Sequence, residues 1–132
     1  MERTKPTIET IYGQVIAKAN HYMAVPAKDG MKRIIKDDVI REYENSFRRQ
    51  CKVYKGRMIN QPFRFICDVY NRHNNYDLDN SLKTILDCLQ DCEAITNDNL
   101  MKEIRATKQV SQNPRVEFRI EVLQKDLFGE LP

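Results

Sequence analysis

The sequence predicts an α+β or α/β fold: one small domain with a mixed sheet of about four strands and two main helices, in the order βαβαββ. The chain has 132 residues, a length that suits one domain with one core. Two segments alternate apolar and polar residues as half-buried strands do, and two others repeat apolar residues at helical spacing. The order of these segments along the chain gives the fold class.

The first half of the chain predicts a strand, a long connection and a helix. The strand covers residues 7–16 and the connection covers residues 17–36. A connection of that length in a small domain is often functional, so contact with a ligand and simple disorder are both open alternatives. Asp37 is the expected cap of a helix over residues 38–51. The buried stripe of this helix would consist of Val39, Ile40, Tyr43, Phe47 and Cys51.

The second half predicts a strand, a helix and two more strands. Residues 62–70 alternate well, and their buried face would hold Phe63, Phe65, Cys67 and Val69. A helix over about residues 80–92 would bury Leu82, Ile85, Leu86 and Leu89. Residues 100–110 are the next expected strand, and a turn at Asn113-Pro114 follows it. The last strand would bury Val116, Phe118, Ile120 and Val122.

Composition excludes several classes of protein. Hydrophobic residues make up 41% and charged residues 31%, which indicates a soluble globular chain. No apolar run approaches membrane-spanning length, and no apolar signal region follows the first residues. We interpret the four cysteines as reduced, mostly buried thiols of a cytoplasmic protein, namely Cys51, Cys67, Cys88 and Cys92. A zinc site remains an alternative, although His21 and His73 lack ligand spacing.

Charge is spread unevenly along the chain, although the net charge is only +3. Residues 28–57 hold ten Lys and Arg against five Asp and Glu, whereas residues 58–99 hold three against seven. An acidic centre flanked by basic segments suits a metal site that must hold a polyanion. The alternative is that the basic residues are ordinary solvated charges.

Two aspartates, Asp77 and Asp79, lie at the mouth of the second predicted helix. If residues 76–79 are extended, both carboxylates point to the same side and Leu78 points into the protein. A third acid, Asp98, follows the short turn after the helix. The helix side opposite to the apolar stripe would hold Asn80, Lys83 and Asp87.

These side chains have the chemistry of a metal-dependent phosphodiesterase. Crowded carboxylates repel each other unless a cation offsets their charge. All the candidate ligands are oxygens, which favours magnesium or manganese over zinc or copper. Lys83 adds a positive charge near the place where a phosphate would bind.

This stretch has three alternative interpretations. Asp79 could cap the helix, with Lys83 and Asp87 as an ordinary surface pair. A calcium loop starting at Asp77 fails, because its sixth and twelfth positions are leucine and cysteine instead of glycine and glutamate. A phosphatase of the Asp-x-Asp-x-Thr kind would need Ser81 in place of the threonine, and the chain is short for that fold.

The run Asp77-Leu78-Asp79-Asn80, followed by Lys83, Asp87 and Asp98, resembles the RusA family of Holliday-junction resolvases. The resemblance is strongest over residues 76–99, and the strand order extends it over most of residues 8–123. It implies a homodimeric, magnesium-dependent endonuclease that cuts branched DNA at four-way junctions, with manganese as a substitute metal.

The resemblance assigns roles by position. The metal ligands would be Asp77, Asp79 and Asp98, Lys83 would be the catalytic lysine, and Asn80 and Asp87 would support the site. Basic groups of the long connection and the first helix would track DNA backbones. The candidate DNA contacts are Lys28, Lys32, Arg33, Arg48, Arg49 and Arg72.

This sequence departs from the family pattern at two positions. Asn97 replaces the second acid that often precedes the last aspartate, which leaves the number of metal ions open. Tyr76 stands where a basic residue often precedes the first aspartate, which puts DNA affinity or sequence preference in question. The rival interpretation is a junction-binding scaffold protein that has lost activity, although the intact acids and the lysine argue against it.

The chain divides into a nuclease domain over residues 1–123 and a tail over residues 124–132. The tail segment Gln124-x-Asp126-Leu127-Phe128 resembles the short peptide by which bacterial replication and repair proteins bind the sliding clamp. Leu127 and Phe128 would fill an apolar pocket and Gln124 would form a hydrogen bond at its rim. The alternative is that the two apolar residues fold back on the domain's own core.

Overall fold

A computed structural model describes residues 7–17 and 38–123 in full, and the backbone of residues 22–26 and 32–36. The strands are β1 (Glu9–Tyr12), β2 (Tyr22–Pro26), β3 (Lys32–Lys36), β4 (Phe63–Asn71), β5 (Met101–Val110) and β6 (Arg115–Val122). The helices are α1 (Asp38–Gln50) and α2 (Leu78–Asp91), and a 3₁₀ turn over Asp98–Leu100 precedes β5. The predicted α+β class and the order of the main elements are confirmed.

The main sheet has four strands in the order β1-β6-β4-β5. β6 runs antiparallel to both β1 and β4, whereas β4 and β5 are parallel. A parallel neighbour cannot be reached by a tight turn, so α2 crosses back over the sheet between these two strands. The helix α2 therefore starts beside the carboxyl end of β4 and ends beside the amino end of β5, at opposite ends of the strands.

The predicted connection over residues 17–36 is wrong in one respect, because it contains a β-hairpin. β2 and β3 pair in antiparallel register as a separate two-stranded sheet. Each strand has only five residues, and lysines dilute the apolar signal of β3. The expected cap Asp37 lies outside the described residues.

The first strand is shorter than predicted. β1 ends at Tyr12, because Gly13 adopts a φ of +111° that leaves the extended conformation. The backbone N–H of Gly13 donates to the carbonyl of Pro114 at 2.9 Å, which holds the chain beside the start of β6. The residues after Gly13 then turn towards α2.

Both helices are amphipathic, and the structure confirms most of the predicted stripe of α1. Ile40, Tyr43 and Phe47 are buried, but Val39 is 45% exposed. Each step of four residues rotates the side chain by about 40° around the helix axis. Val39 is two such steps from Phe47, so it lies at the margin of the buried face. On α2, Leu82 is only partly buried, whereas Ile85 and Leu89 are fully buried.

The sheet packs one face against the helices. The alternation predicted for β4 is confirmed, since every second residue from Phe63 to Asn71 is buried. Phe118 lies at the centre of the core, with the rings of Phe47, Tyr54 and Phe65 at centroid distances of 6.0, 5.8 and 5.7 Å. Val122 was expected on the same face but is exposed, because it lies at the last position of β6.

The opposite face of the sheet is polar. Arg64 forms ion pairs with Glu103 on β5 and Glu121 on β6, and Arg115 pairs with Glu117 along β6. Exposed pairs of this kind contribute little to stability, about 0–1 kcal/mol each. This face therefore remains solvated, and the hydrophobic core lies between the sheet and the helices.

All four cysteines are buried and free. Among the described residues, neither helix is both long enough and apolar enough to cross a membrane.

Candidate active site

The helix α2 starts earlier than predicted, and this changes the geometry of its two aspartates. Asp77 is the N-cap, with φ −91° and ψ 123°, and Asp79 lies in the first turn. The expected extended geometry over residues 76–79 is therefore wrong, and so is the alternative in which Asp79 caps the helix. The carboxylate of Asp77 makes no capping hydrogen bond, and instead accepts one from the side-chain amide of Asn80 at 3.2 Å.

Tyr76 fixes the residue before the helix against the sheet. Its hydroxyl lies 3.1 Å from the carbonyl oxygens of Val69 on β4 and Gln109 on β5 and donates to them. Burial raises the pKa of Tyr76, so the hydroxyl remains a donor. The ammonium of Lys108 lies 4.9 Å from the centre of its ring. Tyr76 thus holds the adjacent residue Asp77 beside the carboxyl ends of β4 and β5.

A cavity of about 340 Å³ lies beside the start of α2. One wall is the segment over residues 14–17, which follows β1. The hydroxyl of Thr84, on the buried side of α2, donates to the carbonyl of Ile16 at 2.7 Å and holds that wall in place. The remaining lining comes from the end of β4 and from the start of α2, including Asp77 and Asn80.

Asn71, which sequence reasoning missed, lines the same cavity. It is the last residue of β4 and only 3% exposed, and its side-chain oxygen Oδ1 has no hydrogen-bond partner among the described residues. A buried acceptor left without a donor costs about 1–3 kcal/mol, so it calls for a functional explanation. The sequence did contain a signal for this residue. Asn71 continues the alternation of buried residues in β4, but it is polar where the others, Phe63, Phe65, Cys67 and Val69, are apolar.

The next turns of α2 carry the predicted polar side chains away from the core. Lys83 is exposed, and Asn80 and Asp87 are half-buried. Ile85 and Leu89, on the other side of the helix, have no exposed surface. The structure therefore places the side chains of Asn80, Lys83 and Asp87 on the outer side of α2, as predicted.

Asp98 does not join the other two aspartates. Its backbone N–H donates to the side chain of Gln90, which lies in the last turn of α2. Gln90 follows Asp77 by thirteen positions, which is about 20 Å along the helix axis at 1.5 Å per residue. Asp98 follows the turn after the helix, as predicted, but α2 has by then carried the chain to the opposite end of the strands, so the described part of one chain does not bring together the ligand set Asp77, Asp79 and Asp98 that the resemblance implies.

The strands give an independent estimate of the same separation. Asp98 begins the 3₁₀ turn that leads into β5 at Met101, whereas Tyr76 contacts Gln109 near the end of that strand. Eight residues of extended chain span about 26 Å. Within the described residues, no group of three or more His, Cys, Asp or Glu side chains lies where it could hold a metal ion.

The donor chemistry at the helix start fits a hard cation only in part. Asp77 and Asp79 offer exposed carboxylates. Asn71 and Asn80 offer amide oxygens at the adjoining cavity, and magnesium prefers oxygen ligands of these kinds. One chain, however, does not assemble the set of three acids that the resemblance implies.

The candidate DNA-binding residues are divided between the two ends of α2. Arg72 is exposed directly after Asn71, at the same end as Asp77. Arg48 forms an ion pair with Asp91, the last residue of α2, so Arg48 and the adjacent Arg49 lie at the opposite end. Lys28 and the side chains of Lys32 and Arg33 lie outside the described residues.

Comparison with known proteins gives a family. The family model described as Endodeoxyribonuclease RusA matches residues 12–121, which include both helices and the acids at both ends of α2. None of the curated proteins compared with the chain matches it. The match covers well over half of the 132 residues. The chain belongs to the RusA endodeoxyribonuclease family.

Proposed function

We propose that this protein is a magnesium-dependent, structure-selective endonuclease that resolves Holliday junctions by paired nicks, in DNA recombination and repair. Membership of the RusA family implies Holliday-junction endodeoxyribonuclease activity. The observation that best supports the catalytic assignment is the pair Asp77 and Asp79 at the start of α2, next to a cavity and free of capping duty. Manganese is the expected substitute for magnesium.

Each residue at the start of α2 has a proposed role. Asp77 and Asp79 would hold the cation, and the side-chain amide of Asn80 donates to the carboxylate of Asp77 and orients it. A bound magnesium ion would stabilise charge on the scissile phosphate and make the attacking water more acidic. Lys83, one turn further along, stabilises the charge that develops on the phosphate.

The substrate proposal follows from charge and symmetry. Arg72 and the basic residues of the 17–36 segment would contact phosphates, so affinity should fall steeply with salt. Resolution of a junction needs two matched nicks, and one domain with one site does not supply both. A homodimer with two-fold symmetry supplies them, and the cytoplasm is where chromosomal junctions would be met.

A labelled four-way junction tests the proposal. The wild-type protein should cut it in symmetrical positions with magnesium, bind it without cutting when the metal is chelated, and leave linear duplex intact. Arg72→Ala should weaken junction binding several-fold and lower the salt slope by about one. Arg57→Ala, which removes a cation packed over Tyr54, is the matched control. Binding without any cleavage would support the alternative of an inactive junction-binding scaffold.

The tail over residues 124–132 lies outside the described residues, and we retain the proposal that it binds the bacterial sliding clamp through Gln124, Leu127 and Phe128. A peptide of residues 122–132 should bind purified clamp with micromolar affinity. Leu127→Ala combined with Phe128→Ala should remove clamp binding by the full-length protein without changing junction cleavage. A double variant that unfolds would instead indicate that the tail packs on the domain.

A further inference from the structure

The side chain of Lys108 projects from β5 towards the helix side of the sheet. Lys108 pairs with Val69 in the register of the parallel strands β4 and β5, and Val69 is completely buried. Residues that pair directly in neighbouring strands point to the same face of a sheet. Lys108 is nevertheless exposed, because β5 is the last of the four strands. A charged side chain therefore lies on the core-facing side of the sheet, at its edge.

The other residues on this side of β5 do not explain a lysine. Ile104, Ala106 and Val110 occupy the neighbouring positions of the same face, and all three are apolar. An apolar residue at position 108 would continue their pattern and would cover part of the core. The strand instead carries an ammonium group at this position.

The ring of Tyr76 fixes the position of this ammonium group. The atom Nζ of Lys108 lies 4.9 Å from the ring centre, within the range of a cation–π contact. The ring itself is held by the sheet, since the hydroxyl of Tyr76 lies 3.1 Å from the carbonyl oxygens of Val69 and Gln109. Because Tyr76 directly precedes Asp77, a positive charge is ordered next to a proposed metal ligand.

The charge of Lys108 is not neutralised within the part of the chain that the structure describes, where it forms no ion pair with a carboxylate. The opposite face of the sheet differs, because Arg64 there pairs with both Glu103 and Glu121. An ammonium group that a ring positions, without a carboxylate, keeps its charge available for an external anion. Beside acids that act on a phosphodiester, that anion is a phosphate of the nucleic acid.

We propose that Lys108 is a substrate-positioning residue: its ammonium group, held over the ring of Tyr76, binds a phosphate of the DNA strand that is cut at Asp77 and Asp79. This inference rests on the proposed function, because it adds a contact to the same bound substrate. Such a contact fixes the register of the strand without reading its sequence. Lys83 acts from the helix on the phosphate that is cut, whereas Lys108 acts from the sheet on a phosphate next to it.

Lys108→Met separates the charge from the packing, because methionine keeps an unbranched apolar chain over the ring. Binding of a labelled four-way junction is measured at several salt concentrations with the metal chelated. The dissociation constant should rise several-fold, and the slope of log affinity against log salt should fall by about one. With magnesium and saturating protein, single-turnover cleavage should slow about 10-fold, because the strand is held less precisely. The melting temperature should not change, and Lys108→Arg should keep the wild-type salt slope.

Arg105→Met is the matched control for the loss of one positive charge. Arg105 lies on the same strand but pairs with Ile66, on the polar face of the sheet. The net charge of the protein changes by the same amount in both variants. Arg105→Met should therefore keep the wild-type salt slope and cleavage rate.

A rescue experiment tests whether the position of the charge matters. Tyr76→Arg combined with Lys108→Met places a cation directly before Asp77, where the ring had held the ammonium group. It is compared with Tyr76→Leu combined with Lys108→Met, which loses the same tyrosine hydroxyl without gaining a charge. The arginine variant should recover the lost salt slope and part of the cleavage rate, and the leucine variant should recover neither. Melting temperatures show that both double variants are folded.

Several outcomes would overturn the inference. Lys108→Met with the wild-type salt slope and cleavage rate would show that the ammonium group does not touch DNA. A lower melting temperature with an unchanged slope would mean that Lys108 only packs on Tyr76. Equal losses in Arg105→Met would reduce the effect to net charge. Each of these results presupposes a wild-type protein that binds and cuts junctions, whereas a wild-type protein that does neither would overturn the proposed function and this inference together.

Discussion

The two ends of α2 use the same kinds of polar side chain in opposite ways. At its last turn the polar groups are engaged: Asp91 pairs with Arg48, and Gln90 accepts the backbone N–H of Asp98. Nearby, the buried carboxylate of Glu9 accepts three backbone N–H groups, from Lys52, Val53 and Tyr54, at 2.9, 2.7 and 3.3 Å.

The first turn presents carboxylates that do not cap the helix backbone, and that of Asp77 accepts only a long hydrogen bond, 3.2 Å, among the described residues, from its neighbour Asn80. Asp77 occupies the N-cap without a capping hydrogen bond and Asp79 is exposed beside it. The oxygen Oδ1 of Asn71 is buried, with no donor in the described part of the chain. Helix starts favour negative charge, so these acids are tolerated there at low cost. The difference teaches that polar groups which the fold satisfies are structural, whereas those that it orders but leaves unsatisfied are the candidates for function.

Asp79→Asn should produce the largest effect. We expect junction cleavage to fall at least about 10²-fold, because the substitution removes one of the carboxylates proposed to hold the metal. Junction binding should remain close to wild type, because the aspartate contacts metal and not bases. Asp91→Asn at the other end of α2 should cut normally, since it removes only an exposed ion pair. Equal losses of cleavage in Asp79→Asn and Asp91→Asn would contradict the assignment of catalysis to the N-terminal end of α2.

Lys83→Ala should slow the chemical step by roughly 10²-fold, because it removes the charge that faces the developing phosphate. The melting temperature should be unchanged, since the side chain is exposed. Lys55→Ala changes an exposed lysine that follows Tyr54, a residue whose backbone N–H donates to Glu9; it is the control and should turn over normally. Single-turnover cleavage and thermal melts on the same preparations separate the roles: a stability loss with normal turnover would make Lys83 structural.

Glu9→Leu should destabilise the fold by about 2–4 kcal/mol, because three backbone donors lose a charged acceptor. Glu9→Gln, which keeps an acceptor oxygen, should lose clearly less. Denaturant unfolding measures both. The fraction that remains folded should cut junctions at the wild-type rate, since Glu9 contacts only residues near the C-terminal end of α2. A slower rate in the folded protein would show that the two ends of α2 are coupled.

Asn71→Leu should raise the free energy of unfolding by about 1 kcal/mol, since it replaces an unpartnered buried acceptor by an apolar group of similar size. The same substitution should slow cleavage several-fold, because the residue lines the cavity beside Asp77. Gain of stability with loss of activity is the signature of a residue kept for function. A destabilised variant with normal cleavage would place Asn71 among the structural residues.

Short-range patterns made much of this molecule predictable from its sequence. The alternation of β4 and the helical spacing of Ile85 and Leu89 identify core-facing residues, because both periods follow from backbone geometry alone. The motif from Asp77 to Lys83 spans less than two helical turns, so its members had to lie near one another wherever the helix packed. The hairpin of β2 and β3 was missed because short, lysine-rich strands carry a weak periodic signal.

Tertiary structure alone decided which distant residues meet. Sequence distance placed Asp98 close after the helix, but the parallel pairing of β4 and β5 makes α2 run the length of the sheet, so the acid lies at the far edge. The same crossover put Arg48 beside Asp91, away from Asp77. The burial of the Asn71 oxygen Oδ1 without a donor among the described residues likewise depends on what packs around the end of β4. Local periodicity fixes the face on which a residue lies, whereas the direction of each element across the sheet fixes its neighbours.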